Sequence, residues 1–188
     1  MIKHILLIII FNVRDDWMHV LITIIMIISV WLRGDWRNWE KYHAVMLYFA
    51  LGNLTYNFLT ANYFLWRLDA DYLSNHTLTE MLYTFIVFPG TALLFIGNFP
   101  KEKTKIVRHY IFWVVIYAGI EWIMTITQHI EYQYGWSWAW SAAFDVVMFP
   151  MLWLFYKKPL LTYLISFPIA IFLIWLFDVP VNIPVEDR

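Results

Sequence analysis

The chain has 188 residues, of which 62% are hydrophobic and 14% are charged, and its formal net charge is −1. A soluble domain carries about a quarter charged residues, and one core of this size could not enclose so much apolar surface. The nearly balanced charge gives no reason to expect a nucleic-acid partner. The sequence contains no cysteine, which excludes disulfides, thiolate catalysis and Cys-based metal sites.

Long apolar runs rather than amphipathic stripes predict an all-α, polytopic transmembrane bundle of about six spans. The mean hydropathy of +0.60 agrees with this class. The first run would be short for a bilayer, at about 24 Å. The predicted transmembrane domain covers residues 17–177, with spans at 17–32, 42–66, 80–98, 109–130, 138–156 and 160–177.

Two flanking segments lie outside this predicted domain. Residues 1–16 contain the apolar stretch Ile5–Phe11, which is too short to span and is predicted to lie at the membrane interface. One leg of a seventh, distorted span is the less favoured alternative. Residues 178–188, with two prolines and three acids, are predicted to form a polar tail.

Local motifs predict how the third and fifth spans begin and bend. Thr77-Leu78-Thr79-Glu80 fits a helix capping box, in which the acid accepts a backbone hydrogen bond at the helix start. Pro89-Gly90 predicts a kink in the third span, and Pro150 a bend in the fifth.

Orientation follows from the distribution of Lys and Arg. The links after the first, third and fifth spans carry nine of these residues, and the opposite side carries four. Because cytoplasmic loops are enriched in Lys and Arg, this bias predicts that both termini lie outside. The twelve Trp and twelve Tyr gather near the ends of the apolar runs, as interfacial aromatic residues do.

Two acids interrupt neighbouring spans near their middles. Glu121 and Asp145 lie on two spans that the short turn at residues 131–137 joins. These spans should therefore pack side by side. Counted from that turn, both acids are predicted about 12–15 Å below the outer interface, close to the bilayer midplane. Asn53 and Asn57 of the second span are predicted nearby, and Thr125 and Gln128 share a helix face with Glu121.

An intramembrane acid without a fixed cation has few stable arrangements. It must hold or share a proton, accept hydrogen bonds from amides, or bind a cation. We therefore predict a protonation or cation site at Glu121 and Asp145, with Asn53 and Asn57 as neutral ligands. The alternative is that the acids only hydrogen-bond between helices, and for the two asparagines alone that alternative is favoured.

A second cluster of titratable residues is weaker as a metal site. His76, Glu80, His129 and Glu131 are predicted near the outer surface, and His and carboxylate side chains can bind divalent metals. The sequence has no H-E-x-x-H motif, and Glu80 is already assigned to the capping box. Neither a metal nor a cofactor is predicted.

The segment around Glu121 resembles a known family. Glu121-Trp122 with Thr125, Tyr134-Gly135-Trp136-Ser137-Trp138 with Ser141, and Phe88-Pro89 resemble motifs of small uncharacterised multi-pass membrane proteins common in endospore-forming Firmicutes. The likeness covers the second through fifth spans. It implies a bacterial plasma membrane location and a shared importance of Glu121 and Trp136, but no mechanism.

Three functions fit this sequence. The first is small-solute or ion and proton handling through the intramembrane carboxylate site. The second is non-catalytic binding of membrane lipids, of a partner membrane protein or of further copies in a homo-oligomer. The third is a membrane-embedded enzyme, which the absence of nucleophile motifs in the sequence disfavours.

Overall fold

The computed structural model describes residues 17–69 and 76–188, and this part of the chain is mostly helical. The predicted segment at residues 1–16 lies outside the described residues. The helices are α1 (Met18–Arg33), α2 (His43–Leu59), α3 (His76–Gly97), α4 (Lys103–Ile126), α5 (Trp138–Lys157) and α6 (Pro159–Leu176). Two strands, β1 (Trp66–Leu68) and β2 (Ile130–Tyr132), and two short 3-10 segments, Trp36–Lys41 and Val185–Asp187, complete the order.

Four of these helices, α3 to α6, are long and apolar enough to cross a membrane. α1 is apolar but shorter, with 16 residues, and α2 has 17 residues. At 1.5 Å of rise per residue, each of these two would be about 25 Å long. Helical structure and membrane-compatible helices were therefore predicted correctly, whereas the number of spans stays a prediction.

The bundle is organised around α3 and α5, which touch each other and carry the remaining helices. α3 packs against α1 and α2, and α5 packs against α2, α4 and α6. The largest core lies in the half of the bundle next to the basic links. There Phe95 of α3 and Phe149 of α5 are fully buried beside Leu152. Close-packed aromatic side chains of this kind contribute much of the stability of a bundle interior.

α3 adapts to Pro89 by a π-helical turn rather than by a break. Residues Tyr83–Val87 form this turn, and the Phe88 N–H donates to the Tyr83 carbonyl. Proline lacks an N–H and its ring crowds the carbonyl four residues earlier, so the preceding turn must rearrange. The predicted irregularity at Pro89-Gly90 therefore takes the form of a widened turn just before the proline.

The second predicted span ends earlier than expected. α2 stops at Leu59, where Thr60 Oγ1 donates to the Tyr56 carbonyl and Asn62 adopts φ 61°. Residues 60–65 form a turn, and Trp66–Leu68 then pairs antiparallel with Ile130–Tyr132 in register Trp66↔Tyr132. The apolar character of residues 60–66 thus reflects a packed turn and a strand, not helix.

A tight turn follows the second strand. Tyr134 has φ 52° and Gly135 has φ 82°, and the Trp136 N–H donates to the Gln133 carbonyl. Positive φ values are strained for most residues, but glycine adopts them at little cost. A turn with two successive positive φ values therefore favours glycine at one of the two positions, which explains the Tyr-Gly pair. It delivers Trp136 into a buried position at the start of α5.

The predicted polar tail packs onto the bundle. Val179 is buried in a cluster with Leu65, Trp136 and Phe177. The Arg188 guanidinium donates to the Leu59 carbonyl. The tail therefore covers the end of the bundle that carries β1 and β2. We call these two paired strands the ribbon, and this end of the bundle the ribbon end.

Candidate functional site

A cavity of about 560 Å³ runs through the bundle from the ribbon end to Tyr48 and Tyr163, near the basic links. Its wall comes from all six helices and from both strands, and most of the side chains are aliphatic or aromatic. Polar groups in the wall include Asn53, Glu121, Ser141 and Asp145. A mostly apolar cavity of this size with a few polar groups is the usual form of a small-molecule site.

Among these polar groups, Asp145 is a buried acid with an unpaired carboxylate oxygen. The residue is only 5% solvent-exposed. Its Oδ2 atom has no hydrogen-bond partner among residues 17–69 and 76–188. Glu121 lies close enough for the two carboxylate charges to interact. An unpaired buried carboxylate oxygen costs free energy, so this position favours a ligand that donates a hydrogen bond or carries positive charge.

Glu121 is held from the side of the ribbon. The Tyr132 hydroxyl donates to Glu121 Oε1 at 2.6 Å. Thr125, one turn later on α4, donates to the Glu121 carbonyl, and its hydroxyl lies 3.2 Å from that of Tyr132. Because the ribbon fixes Tyr132, strand pairing sets the orientation of the acid in the cavity. Burial, the hydrogen bond to Glu121 and its charge raise the pKa of the Tyr132 phenol.

Ser141 connects the two acids to the turn before α5. Trp136 Nε1 donates to Ser141 Oγ at 2.8 Å. The same serine lies beside the Glu121 carboxylate and the Tyr132 hydroxyl. It also precedes Asp145 by one helical turn, so both residues face the cavity. Glu121 and Trp136, the two residues whose importance the resemblance implies, therefore meet through Ser141.

Glu121 lies fewer residues from the end of its helix than the sequence predicted. Glu121 is five residues before the end of α4 at Ile126, and Asp145 is seven residues after the start of α5 at Trp138. These offsets correspond to about 7.5 and 10.5 Å along the helix axes. The predicted midplane depth of Glu121 counted helix as far as Glu131, whereas its helix ends at Ile126 and β2 begins at Ile130, so the depth stays a prediction.

Asn53 and Asn57 both donate hydrogen bonds to a third acid, Glu80, which the sequence predicted to be a helix-capping residue. Asn53 Nδ2 donates to Glu80 Oε2 at 3.2 Å and to Thr84 Oγ1 at 2.8 Å. Asn57 Nδ2 donates to the same Glu80 oxygen at 3.3 Å. Only Asn53 also reaches the cavity wall. The preference for these asparagines as contacts between helices agrees with this arrangement.

Glu80 does not act as the predicted capping-box acid. α3 already includes His76 and Thr77, and Glu80 is buried in the bundle facing α2. Its second oxygen, Oε1, has no hydrogen-bond partner within the described part of the chain. The signal that could have revealed it is the spacing of Glu80, Thr84 and Thr91, which places three polar groups on one face of an apolar helix.

Besides Asn57, two of the predicted ligand-binding residues do not line the cavity in the structure. Gln128 follows the end of α4 with φ 62° and is exposed, because the helix that would have placed it beside Glu121 ends at Ile126. Thr125 supports Tyr132 and the backbone of Glu121 instead of reaching the cavity.

The weak metal candidates separate into different environments. Glu131 pairs with Arg67 across the ribbon at 2.7 Å, and Glu80 turns to the two asparagines. His76 is exposed, and His129 Nδ1 lies 2.9 Å from Thr127 Oγ1. Within residues 17–69 and 76–188, no group of three or more His, Asp or Glu side chains is arranged to hold a metal ion.

A buried histidine that sequence reasoning missed lies at the ribbon end. His19 of α1 has Nδ1 3.0 Å from the Tyr83 hydroxyl and Nε2 2.8 Å from the Asp69 carbonyl. Tyr83 belongs to the cavity wall. In a sequence, one histidine in an apolar run carries no signal that it will bridge two helices and a loop.

Comparisons of the chain with protein-family models, with curated proteins and with solved structures each returned no match. The resemblance to the membrane proteins of endospore-forming Firmicutes therefore stays a prediction.

Proposed function

We propose that this chain is a multi-pass protein of the bacterial plasma membrane that handles a small solute or an ion through the carboxylate pair Glu121 and Asp145. In this proposal all six helices cross the bilayer, and the ribbon end and both termini lie outside. The four membrane-length helices and the clustering of Lys and Arg at the opposite end of the bundle support this placement.

The observation that carries the proposal is the position of Asp145. Its unpaired Oδ2 and the Glu121 carboxylate belong to the wall of one cavity. The described residues of that wall include no Lys, Arg or His. A proton, a cation or the positive group of a solute would supply the missing charge and the missing hydrogen bond. Exchange of a proton for the bound cation or solute would couple the movement of the proton to the movement of that ligand.

Non-catalytic binding of a lipid is the second candidate, because most of the cavity wall is apolar. The two candidates differ in whether the acids release what they bind. A membrane-embedded enzyme, the third hypothesis, gains no support from the described residues. Association with a partner membrane protein or with further copies stays a prediction.

A flux measurement tests the first candidate. Purified protein is reconstituted in liposomes that contain a pH-sensitive dye, and a potassium diffusion potential is imposed. We expect proton entry above that of protein-free liposomes and its loss in Glu121→Gln. Glu131→Gln is the matched control, because Glu131 pairs with Arg67 on the surface. Flux equal to that of protein-free liposomes, or unchanged in Glu121→Gln, would contradict ion handling.

A further inference from the structure

We propose that the ligand of this cavity is a single-chain amphiphile with a cationic head group, and that it enters sideways from the bilayer between α2 and α6. The inference rests on the proposed carboxylate site and names its ligand class. It depends on three further observations: a gap between two helices, the polarity of the rim, and the confinement of charge to one end of the cavity.

The gap is a consequence of how α6 is attached. α6 packs chiefly against α5 and makes few direct contacts with α2. Residues of both helices nevertheless belong to the cavity wall, among them Gly52 and Thr55 of α2 and Ala170 of α6. A Cβ added at Gly52 would meet no heavy atom within 4 Å. The cavity therefore reaches the bundle surface between these helices.

The gap is closed above and below. At the end near the basic links, the Tyr48 and Ser166 hydroxyl oxygens lie 2.8 Å apart and join α2 to α6. At the ribbon end, the Tyr63 hydroxyl donates to the Phe177 carbonyl, and Arg188 reaches the Leu59 carbonyl. These contacts leave a window beside residues 51–59 of α2, which is about 12 Å long. The window faces sideways rather than toward either end of the bundle.

The rim of the window is apolar and outward-facing. Leu51 of α2 is 52% exposed and Phe167 of α6 is 71% exposed, and Leu54 and Ile171 are also exposed. Exposed apolar side chains of this density belong against lipid in a membrane-spanning bundle. A ligand that passes this rim comes from the bilayer, where amphiphiles with an apolar chain are concentrated.

Charge within the cavity selects the head group. Glu121 and Asp145 lie toward the ribbon end, whereas the wall toward Tyr48 includes the flexible side chains Met148 and Met151. An ammonium head at the acids would pair with Asp145 Oδ2, and its chain would lie along the methionines. Methionine adapts to chains of irregular shape. A fatty acid would instead bring a third carboxylate beside two others, which is unfavourable.

Photolabelling in lipid nanodiscs tests the proposal. The probes are dodecylamine and dodecanol, each with a diazirine at the chain end, and the labelled residues are mapped by mass spectrometry of peptides. We expect dodecylamine to label the cavity wall near Met148 and Met151, and dodecanol to label it far less. Unlabelled dodecylamine should compete in the wild-type protein, and unlabelled methylammonium should compete poorly because it lacks the chain.

Two variants separate head recognition from entry. Asp145→Asn removes the unpaired charge and should lower dodecylamine labelling by about tenfold or more. Gly52→Phe fills the window and should slow labelling several-fold. Gly119→Phe is its control, because a Cβ added at Gly119 also meets nothing within 4 Å and Gly119 is not part of the cavity wall.

Each result decides one part of the proposal. Equal labelling by the amine and the alcohol, or full competition by methylammonium, would overturn the amphiphilic cation as ligand. Labelling at the same rate in Gly52→Phe would overturn entry between α2 and α6. If dodecylamine fails to label the cavity while Glu121-dependent flux persists, this inference is wrong and the proposed function stands. Loss of both would overturn the two together.

Discussion

At the scale of single residues, the buried acids define this molecule. The sequence showed Glu121 and Asp145 because a charged residue inside an apolar run is rare, and the structure places both in one cavity wall. The sequence alone could not show which side chain contacts each acid. Asn53 and Asn57 follow a helix face that is visible in the sequence, but their contact with Glu80 depends on how α2 meets α3.

Replacement of Glu80 should be costly because two amides each lose one of their acceptors. Glu80→Ala leaves Asn53 and Asn57 without the Glu80 oxygen in the bundle interior. We expect the free energy of unfolding to fall by about 1–3 kcal/mol. Glu80→Gln keeps an acceptor oxygen and should cost less. Reversible denaturation in detergent micelles measures both.

The control for Glu80 is Glu131→Ala, which removes a partly exposed ion pair with Arg67. Such a pair contributes about 0–1 kcal/mol. An equal loss of stability in Glu80→Ala and Glu131→Ala would contradict the buried contact between α2 and α3.

Tyr132 should make stability depend on alkaline pH. Burial and Glu121 raise the pKa of its phenol above the ordinary value of 10.0 in the folded state. The stability linked to this group is therefore complete below pH 10 and is lost as pH rises through the folded-state pKa. Above pH 10, the free energy of unfolding should fall less steeply in Tyr132→Phe than in the wild-type protein. Parallel curves for the two proteins would contradict the burial of Tyr132 beside Glu121.

At the scale of elements, apolar runs located the helices but not their ends. α5 and α6 lie close to their predicted ranges because charged turn residues bound them. α2 and α4 end before the predicted limits because the apolar segments after them form turns and strands. Strands of three residues are too short to give a periodic pattern, so the ribbon could not be predicted from the sequence.

The contact between α1 and α3 depends on a glycine in α3. A Cβ added at Gly90 would lie 2.8 Å from Met26 Cγ and 2.9 Å from Met26 Sδ. Gly90→Leu should therefore push α1 away and lower the free energy of unfolding by about 1–3 kcal/mol. Gly119→Leu, with no heavy atom within 4 Å of the added Cβ, should be neutral or stabilising because leucine favours helix. Equal thermal stability of both variants would contradict this close packing.

At the scale of the whole molecule, the bundle combines a close-packed region with a cavity beside it. The half near the basic links is filled by aromatic side chains around Phe95 and Phe149. The cavity extends from this region to the ribbon end, where the ribbon and the folded-back tail cover it. Composition predicted helices that are apolar enough to cross a membrane, but a cavity arises from packing between distant segments and leaves no local sequence signal.

Cysteine accessibility tests the central claim, that Asp145 faces a cavity able to accept a small cationic group. The chain contains no native cysteine, so Asp145→Cys and Val146→Cys each provide a single thiol. Val146 follows Asp145 on α5 but is 58% exposed on the outer surface of the bundle. In liposomes, cationic aminoethyl methanethiosulfonate should modify Asp145→Cys faster than anionic sulfonatoethyl methanethiosulfonate does, because Glu121 remains in the cavity. Val146→Cys would face lipid in the proposed transmembrane bundle and should react slowly with both. Faster reaction of Val146→Cys, or no preference for the cationic reagent at Asp145→Cys, would contradict the account.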